Sequence, residues 1–267
     1  MAVINTNVKA LFSQAALKAT ERNQQVSMQQ LSTGKRINSS RDDAAGMAIA
    51  TRMTHQIRSL NMAVRNAGDA ISLIQTAEGA TNEITDMLQR MRELSVLSVN
   101  DTYSSAQKTA MSTEFVALAS QITQIASNTQ FNGMKVLDGN GGAPGGTATS
   151  VYTFQVGANN AQTMTVTIVS QALDQYSLTG ATLATAASAA SNLTSIDLAI
   201  GTLNTQRSTI GAAVNRLTHA VDNLSNVAQN ATESRSKIAD TAYAQATSDL
   251  ARQQIIQQAT KDCRRYI

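Results

Sequence analysis

Apolar residues in the second half of the chain recur at alternating spacings of three and four residues over six heptads. This spacing places a side chain on the same face of a helix at every turn. Heptads sustained beyond about three or four repeats are typical of a coiled coil rather than of a globular helix. Only two arginines interrupt the apolar series. Its positions are Ile196, Ile200, Leu203, Arg207, Ile210, Val214, Leu217, Val221, Leu224, Ala228, Ala231, Arg235, Ile238 and Ala242.

A second heptad series lies in the first half of the chain. It changes phase and resumes at Ile84, Leu88 and Met91, which indicates a stutter or stammer. The two series can pair in antiparallel fashion because residues 138–190 are long enough to let the chain turn back. The positions before the change of phase are Ala50, Met53, Ile57, Leu60, Val64, Ala67, Ile71 and Ile74.

Two smaller elements follow the first series. The same spacing predicts a helix between Ser105 and Asn128, with Ser104 or Ser105 as its N-cap. Alternating residues at 151–156 and a β-rich run at 163–169 predict a hairpin around a turn. These elements lie next to or within the connection between the two long segments.

The composition agrees with closely packed helices. The chain of 267 residues contains no Trp, one Pro, four Phe and five Tyr. A globular enzyme of this length would usually hold more aromatic residues, because they contribute the largest buried area per residue. We therefore predict a mainly α protein, a long antiparallel α-helical coiled-coil bundle with a small β-hairpin region.

The residues that usually carry chemistry are sparse. His55 and His219 lie off the apolar positions and are expected on the solvated helix surface, and Cys263 is the single cysteine. The glycine-rich stretch 139–146 follows no strand and opens no helix, so we predict a mobile loop rather than a phosphate site. The carboxylates of residues 42–43 fit a turn or a helix start. We predict a protein that is not an enzyme, with no catalytic site, metal site or cofactor.

The charge pattern argues against two kinds of partner. The net charge is only +3, the basic residues are balanced locally by Asp and Glu, and aromatics do not alternate with them, so no nucleic-acid partner is predicted. No segment reaches the ~18 uninterrupted apolar residues of a membrane span, so no membrane insertion is predicted. The first residues do not have the pattern of a Sec-type signal peptide.

Several segments resemble signatures of the bacterial flagellin family. They occur in the family's order and span most of the chain apart from the glycine-rich connection. The longest covers Leu31–Gly46 and resembles the family's N-terminal signature. The other segments are Val3–Asn7, Gln75–Ala80, Gln130–Gly133, Phe154–Asn159 and Ser234–Asp240 with Tyr243.

The resemblance implies a structural subunit that polymerises into the flagellar filament for motility. Residues 1–45 and 240–267 would be terminal helices that fold into the filament's inner core. Residues 46–137 and 191–239 would form the long-helix bundle, and 138–190 a short Gly/Thr/Ser-rich loop and hairpin in place of large outer domains. The implied partners are other flagellin subunits, the type III export apparatus, an export chaperone and the cap protein. The implied location is extracellular, after secretion without a cleaved signal peptide.

The terminal segments have an amphipathic pattern that agrees with this role. Their apolar residues lie among many polar ones, so a short helix of this kind cannot bury its stripe alone and gains stability from packing. We expect the assembly core to contain Val8, Leu11, Leu17, Leu31, Ile238 and Ile255.

A recognition site can also be carried over from the resemblance. Gln89 to Leu94 is similar to the segment of many flagellins that Toll-like receptor 5 recognises, and Arg90, Leu94 and Glu114 match its central positions. Glu93 lies beside them. The same surface would be an inter-subunit contact in the filament, which we expect as its primary role. Arg90 would supply planar hydrogen-bond donors and Leu94 an apolar anchor.

The C-terminal end departs from the family pattern. Family members continue past Ala259 with a long amphipathic helix that ends in Leu, whereas residues 260–267 are short, basic and carry Cys263. We expect that roughly a dozen residues, about 18 Å of helix, are missing. The short tail leaves open a second hypothesis, a flagellin-derived surface binding protein or hook–filament junction protein.

Overall fold

The computed structural model describes residues 8–139 and 149–265 and confirms the predicted mainly α fold. Within these ranges the helices are α1 (Val8–Thr33), α2 (Ala44–Val99), α3 (Ser105–Asn128), α4 (Ala186–Ala239) and α5 (Tyr243–Arg265). The chain divides into two compact units. The first contains the residues up to Arg58 and from Val227 onwards, and the second contains Ser59–Asn226. None of the helices described is long and apolar enough to cross a membrane.

Between Leu60 and Ser98 the buried seam of α2 keeps one phase, so the stutter predicted between Ile74 and Ile84 is wrong. Twelve residues with alternating spacings of three and four are buried without interruption. The sequence pattern missed this because Ala, Thr and Ser occupy many seam positions. Thr81 and Ser95 can lie there because their hydroxyls donate to carbonyls of the preceding turn at 2.7 and 2.8 Å. The seam is Leu60, Ala63, Ala67, Ala70, Ile74, Ala77, Thr81, Ile84, Leu88, Met91, Ser95 and Ser98.

Helix α4 also differs from its prediction in two places. Arg207 does not belong to the seam, because its side chain is exposed, whereas the neighbouring Gln206 is only 4% exposed. The helix begins at Ala186 rather than at residue 191. Thr185 and Ser188 exchange backbone-to-hydroxyl hydrogen bonds of 3.2 Å and cap the first turn, after which the Ala-rich stretch continues the helix.

Helix α3 and the main hairpin lie where the sequence predicts them. Ser104 caps α3 in a capping box with Gln107. Strands β3 (Thr149–Gln155) and β4 (Thr163–Val169) pair in antiparallel register. The sequence analysis did not predict a second hairpin, whose strands have two residues each. They are β1 (Gln130–Phe131) and β2 (Met134–Lys135). The turn between them is Asn-Gly, with φ of 50° and 78°, which is the strongest short signal for a hairpin.

The hairpin packs on the long helices of the Ser59–Asn226 unit, where it completes the core. Tyr152, Met164, Val166 and Ile168 face inwards and join the buried residues of α2, α3 and α4. The predicted loop after the hairpin supplies further core side chains from a 3₁₀ helix (Leu173–Tyr176) and from Leu178 and Leu183. The predicted mobile loop at 139–146 lies outside the described residues except for its first one.

Buried amide side chains close the outer edge of β4. Gln206 accepts from the N–H of Val169 and donates to the carbonyl of Thr167, both at 3.2 Å. Gln171 donates to the carbonyl of Val169 at 2.9 Å and accepts from the hydroxyl of Tyr176 at 2.9 Å. At the C-terminal end of β4 the outward backbone groups of Thr167 and Val169 are therefore paired with side chains of this chain.

Candidate assembly and recognition surfaces

The two terminal helices pack against each other in opposite directions. The hydroxyl of Tyr243, at the start of α5, donates to the carbonyl of Leu31 near the end of α1 at 2.9 Å. Further along, Ser27 of α1 donates to Gln253 of α5 at 3.3 Å. Ser27 and Ala246 are buried by this packing. The terminal pair, as we call α1 with α5, is therefore built within one chain.

The outer side of the terminal pair exposes large apolar residues. Val8 and Ile255 are each 65% exposed and Leu11 is 55% exposed. Leu17 and Leu31 of α1 are half-buried, and so is Ile238, the remaining predicted core residue, which lies near the end of α4. The sequence analysis did not single out Phe12, which is 78% exposed, or Ile256 beside Ile255. Val8, Leu11 and Phe12 lie within five residues of one another on α1, and Ile255 and Ile256 are adjacent on α5, so each helix exposes a group of large apolar side chains of the kind that another molecule covers.

The loop after α1 joins the chain ends through its backbone. Gly34 adopts a φ of 68°, which favours glycine, and its carbonyl accepts from the N–H of Thr241 at 3.0 Å. The N–H of Arg36 donates to the carbonyl of Ala239 at 2.7 Å, and its guanidinium donates to the carbonyl of Ile238 at 2.6 Å. Arg36 thus satisfies carbonyls at the C-terminal end of α4.

The two neighbouring carboxylates serve the turn and the helix start, as predicted. The N–H groups of Ser39 and Asn38 donate to the Asp42 carboxylate and lower the pKa of Asp42 below its ordinary value. Asp43 accepts from the N–H of Gly46 at 2.8 Å and caps α2. Gly46 is buried, and a Cβ atom built there would lie 2.7 Å from Cδ1 of Ile37.

Three of the candidate recognition residues form one charged cluster on α2 and α3. The Nε of Arg90 donates to Glu114 and its Nη1 donates to Glu93, each at 2.9 Å. The hydrogen bond to Glu114, and then that to Glu93, raises the pKa of Arg90. All three side chains are about half-exposed, so their planar, charged groups are accessible from solvent. Sequence reasoning had no means to show that Arg90 holds both carboxylates.

The predicted apolar anchor of this site is wrong for the isolated subunit. Leu94 is only 3% exposed, because it packs into the core of the bundle. Exposed apolar contact area is instead offered by Val96 and Leu97, which the sequence analysis missed. They line a groove of about 570 Å³ together with Gln89, Arg92 and Glu93. Of the predicted residues, Gln89 and Glu93 therefore border an apolar groove.

A second arginine fixes the same part of α2 to α4. The Nε of Arg92 donates to the carboxylate of Asp197 at 2.7 Å, and this bond raises the pKa of Arg92. Arg90 and Arg92 therefore bridge to different neighbours, α3 and α4. His55 and His219 are exposed, as predicted, and no group of three or more metal-ligand residues occurs in the described ranges.

Comparison with known families assigns these surfaces to a class of protein. Residues 4–141 match the family described as the bacterial flagellin N-terminal helical region, and residues 193–263 match the bacterial flagellin C-terminal helical region. The chain belongs to the bacterial flagellin family. It is a structural subunit of the flagellar filament, and the sequence-based recognition of its signatures is confirmed.

Individual relatives agree with this assignment over nearly the full chain. This flagellin is 37% identical to flagellin FlaB2 of Treponema pallidum over 265 residues, which cover 96% of this chain and 93% of that protein. It is 36% identical to a flagellin of Halalkalibacterium halodurans over 261 residues, or 97% and 93% of the two chains. The crystal structure of Bacillus cereus flagellin matches 60% of this chain and 88% of its own, with 32% identity and a TM-score of 0.50.

Proposed function

We propose that this flagellin polymerises by burying the exposed apolar side of its terminal pair against other copies, and that residues 1–45 and 240–267 form the inner core of the filament. The observation that carries the proposal is the exposure of Val8, Leu11 and Ile255 on two helices that otherwise pack together. Burying one such side chain contributes about 1.5–3 kcal/mol. A few of them per interface are enough to stabilise a polymer.

The contact is of the open, heterologous kind. A surface that binds a different surface on the next copy generates a helical filament when the rotation does not close a ring. We therefore expect the terminal pair to contact unlike surfaces on its neighbours. The bundle of residues 46–137 and 191–239 would surround this core, and the hairpin region 138–190 would complete the bundle.

The family assignment also supports proposals about how the subunit is exported and delivered to the filament. We propose that the protein has no enzymatic activity, is secreted through the flagellar export apparatus and acts outside the cell. An export chaperone would cover the apolar side of the terminal pair before export, and the cap protein would receive the subunit at the filament tip. The matched families give no support to the alternative of a surface-binding or junction protein.

We also propose that the Arg90 cluster is a recognition surface. Arg90, Glu93 and Glu114 present an accessible network of charges, and the groove beside them offers apolar area from Val96 and Leu97. Arginine next to apolar area is the residue combination that anchors protein interfaces. In the filament this surface would contact another subunit, and on free subunits Toll-like receptor 5 would bind it.

The assembly proposal is tested with the full-length double variant Leu11→Glu, Ile255→Glu. We expect its critical concentration for polymerisation to rise about 100-fold or more, because two charged groups would enter an apolar interface. Polymer is measured by sedimentation and electron microscopy, and the helical content of the subunit by circular dichroism. The matched control is Met134→Glu, Val151→Glu, whose residues are similarly exposed on the hairpins. Wild-type growth of the Leu11, Ile255 variant would contradict the proposal.

A further inference from the structure

Helix α2 separates its charges along its length. Between Ala44 and Arg65 its sequence contains three arginines and no acidic residue. Between Asn66 and Gln89 it contains four acidic residues and no lysine or arginine. The arginines are Arg52, Arg58 and Arg65, and the acids are Asp69, Glu78, Glu83 and Asp86. A soluble helix usually intersperses the two signs, because neighbours of opposite charge stabilise it.

The separated charges lie on the outward face of α2. Arg65, Asp69, Glu83 and Asp86 are exposed, and each follows a buried seam residue by two positions. Two residues turn an α-helix by about 200°, so these side chains point away from the seam. Arg58 precedes Arg65 by seven residues, is exposed and lies on the same face. The outward face therefore has a basic half and an acidic half, and Asp69, at the boundary between them, also borders an open pocket against the two hairpins.

These five side chains have no ion-pair partner among the residues that the structure describes. Even Arg65 and Asp69, four residues apart, form no bridge. A base that precedes an acid at this spacing is the less favourable order along a helix. In contrast, Arg90 and Arg92 of the same helix are both paired with carboxylates. The charges of the outward face are therefore available to another molecule.

We infer that the occupant of this face is a second copy of the chain, shifted along the helix axis so that the basic half of one α2 meets the acidic half of the next. This inference rests on the filament function. Two parallel copies without a shift would place like charges opposite each other, which costs free energy. A shift of roughly 20 residues, about 30 Å at 1.5 Å per residue, brings opposite charges together.

The charge pattern thus sets the axial register between subunits, while the terminal pair supplies most of the binding energy. Exposed ion pairs contribute little affinity, but they discriminate strongly between registers and orientations. An antiparallel pairing of two α2 helices would also match the signs. It would close into a two-fold dimer and stop growth, so a filament subunit requires the parallel, shifted arrangement.

The experiment uses three full-length variants. One reverses the basic half (Arg58→Glu, Arg65→Glu), one reverses the acidic half (Asp69→Lys, Glu83→Lys), and the third combines all four changes. We expect each half-reversal to raise the critical concentration about tenfold, since two exposed pairs become repulsive. The combined variant restores opposite charges between copies and should return to within about threefold of the wild type.

A matched control separates pairing from net charge. Arg207→Glu, Arg216→Glu changes the net charge as much as the first variant does, at exposed positions of α4. We expect it to polymerise like the wild type. The inference would be overturned if the critical concentration of this control rose as much as that of the half-reversals. It would also be overturned if the combined variant kept a raised critical concentration, or if sedimentation showed a closed dimer. Half-reversals that polymerise like a competent wild type would also overturn it, without affecting the assembly proposal. A wild type that forms no polymer would overturn both.

Discussion

The terminal pair and the bundle differ in how far one chain can bury its apolar residues. In the Ser59–Asn226 unit, the seams of α2 and α4 meet the hairpin, and Ile74, Leu88 and Phe115 are completely buried. In the terminal pair, the fully buried residues are small, such as Ser27 and Ala246, and several large apolar residues, such as Leu11 and Ile255, are exposed. The bundle buries its large apolar residues within one chain, whereas the terminal pair leaves several of its own exposed.

This difference indicates which part of a filament subunit is stably folded before assembly. A protein gains about 25 cal/mol for each Å² of apolar surface that leaves water, so the bundle holds its stability as a monomer. The terminal pair buries fewer large apolar side chains and should open more readily. Coupling its full burial to polymer growth would keep the subunit soluble until it reaches a growing end.

A matched pair of leucine truncations, one in each region, tests this difference most directly. We expect Leu88→Ala to lower the free energy of unfolding of the bundle by about 2–5 kcal/mol, because it leaves a cavity in a closed core. Leu11→Ala, at a 55% exposed position, should change the stability of the monomer by less than about 0.5 kcal/mol. Denaturant unfolding followed by circular dichroism gives both values.

The roles should reverse in the polymer. Leu11→Ala should raise the critical concentration, whereas Leu88→Ala should leave the critical concentration of the folded subunit close to that of the wild type. If the two truncations destabilise the monomer equally, the terminal pair is as closed as the bundle. The distinction between the two regions would then fail.

Much of the fold could be predicted because apolar and β-branched residues carry the pattern. Helix α3 has the predicted bounds, and the hairpin lies at the predicted residues. The predicted seam positions are wrong where small or polar residues pack in the core. Ala63 belongs to the α2 seam, where the pattern favoured the larger Val64 beside it. Thr81 and Gln206 belong to the seams of α2 and α4 although they are polar, so an apolar periodicity does not identify them.

The candidate surfaces were predicted less completely. The resemblance, rather than the spacing, singled out Gln89, Arg90 and Glu93 on one predicted helix and Glu114 on another. The resemblance alone suggested Leu94 as an exposed anchor. The predicted positions Ile84, Leu88 and Met91 agree with the observed seam, so the error does not come from the helical phase. With the observed seam, Leu94 lies inside the bundle and Leu97 outside. Exposed residues such as Phe12 could not be identified, because the sequence does not show which face of α1 packs against α5.

A smaller effect should distinguish the polar contacts of the two regions. Gln206→Leu removes both hydrogen bonds to β4 and leaves the N–H of Val169 without its partner. We expect a loss of about 1–3 kcal/mol and faster hydrogen exchange at that amide. Ser27→Ala removes the 3.3 Å bond between α1 and α5 and should cost less, since that contact is long for a hydroxyl donor. A larger cost at Ser27 would make the terminal pair the better-ordered region.

The smallest effect is a pH dependence confined to the bundle. Burial raises the pKa of Tyr176 to about 12 from an ordinary value near 10. Above pH 10 the unfolded chain loses the Tyr176 proton while the folded chain keeps it, so the folded state becomes less stable as pH rises towards 12 and is unaffected below pH 10. We expect this decline to be on the order of 1 kcal/mol shallower in Tyr176→Phe, which has no ionisable group. Denaturant unfolding at pH 9, 10 and 11 measures it. Parallel curves for the two proteins would mean that the Tyr176 hydroxyl reaches water, and that the core beside the hairpin is as open as the terminal pair.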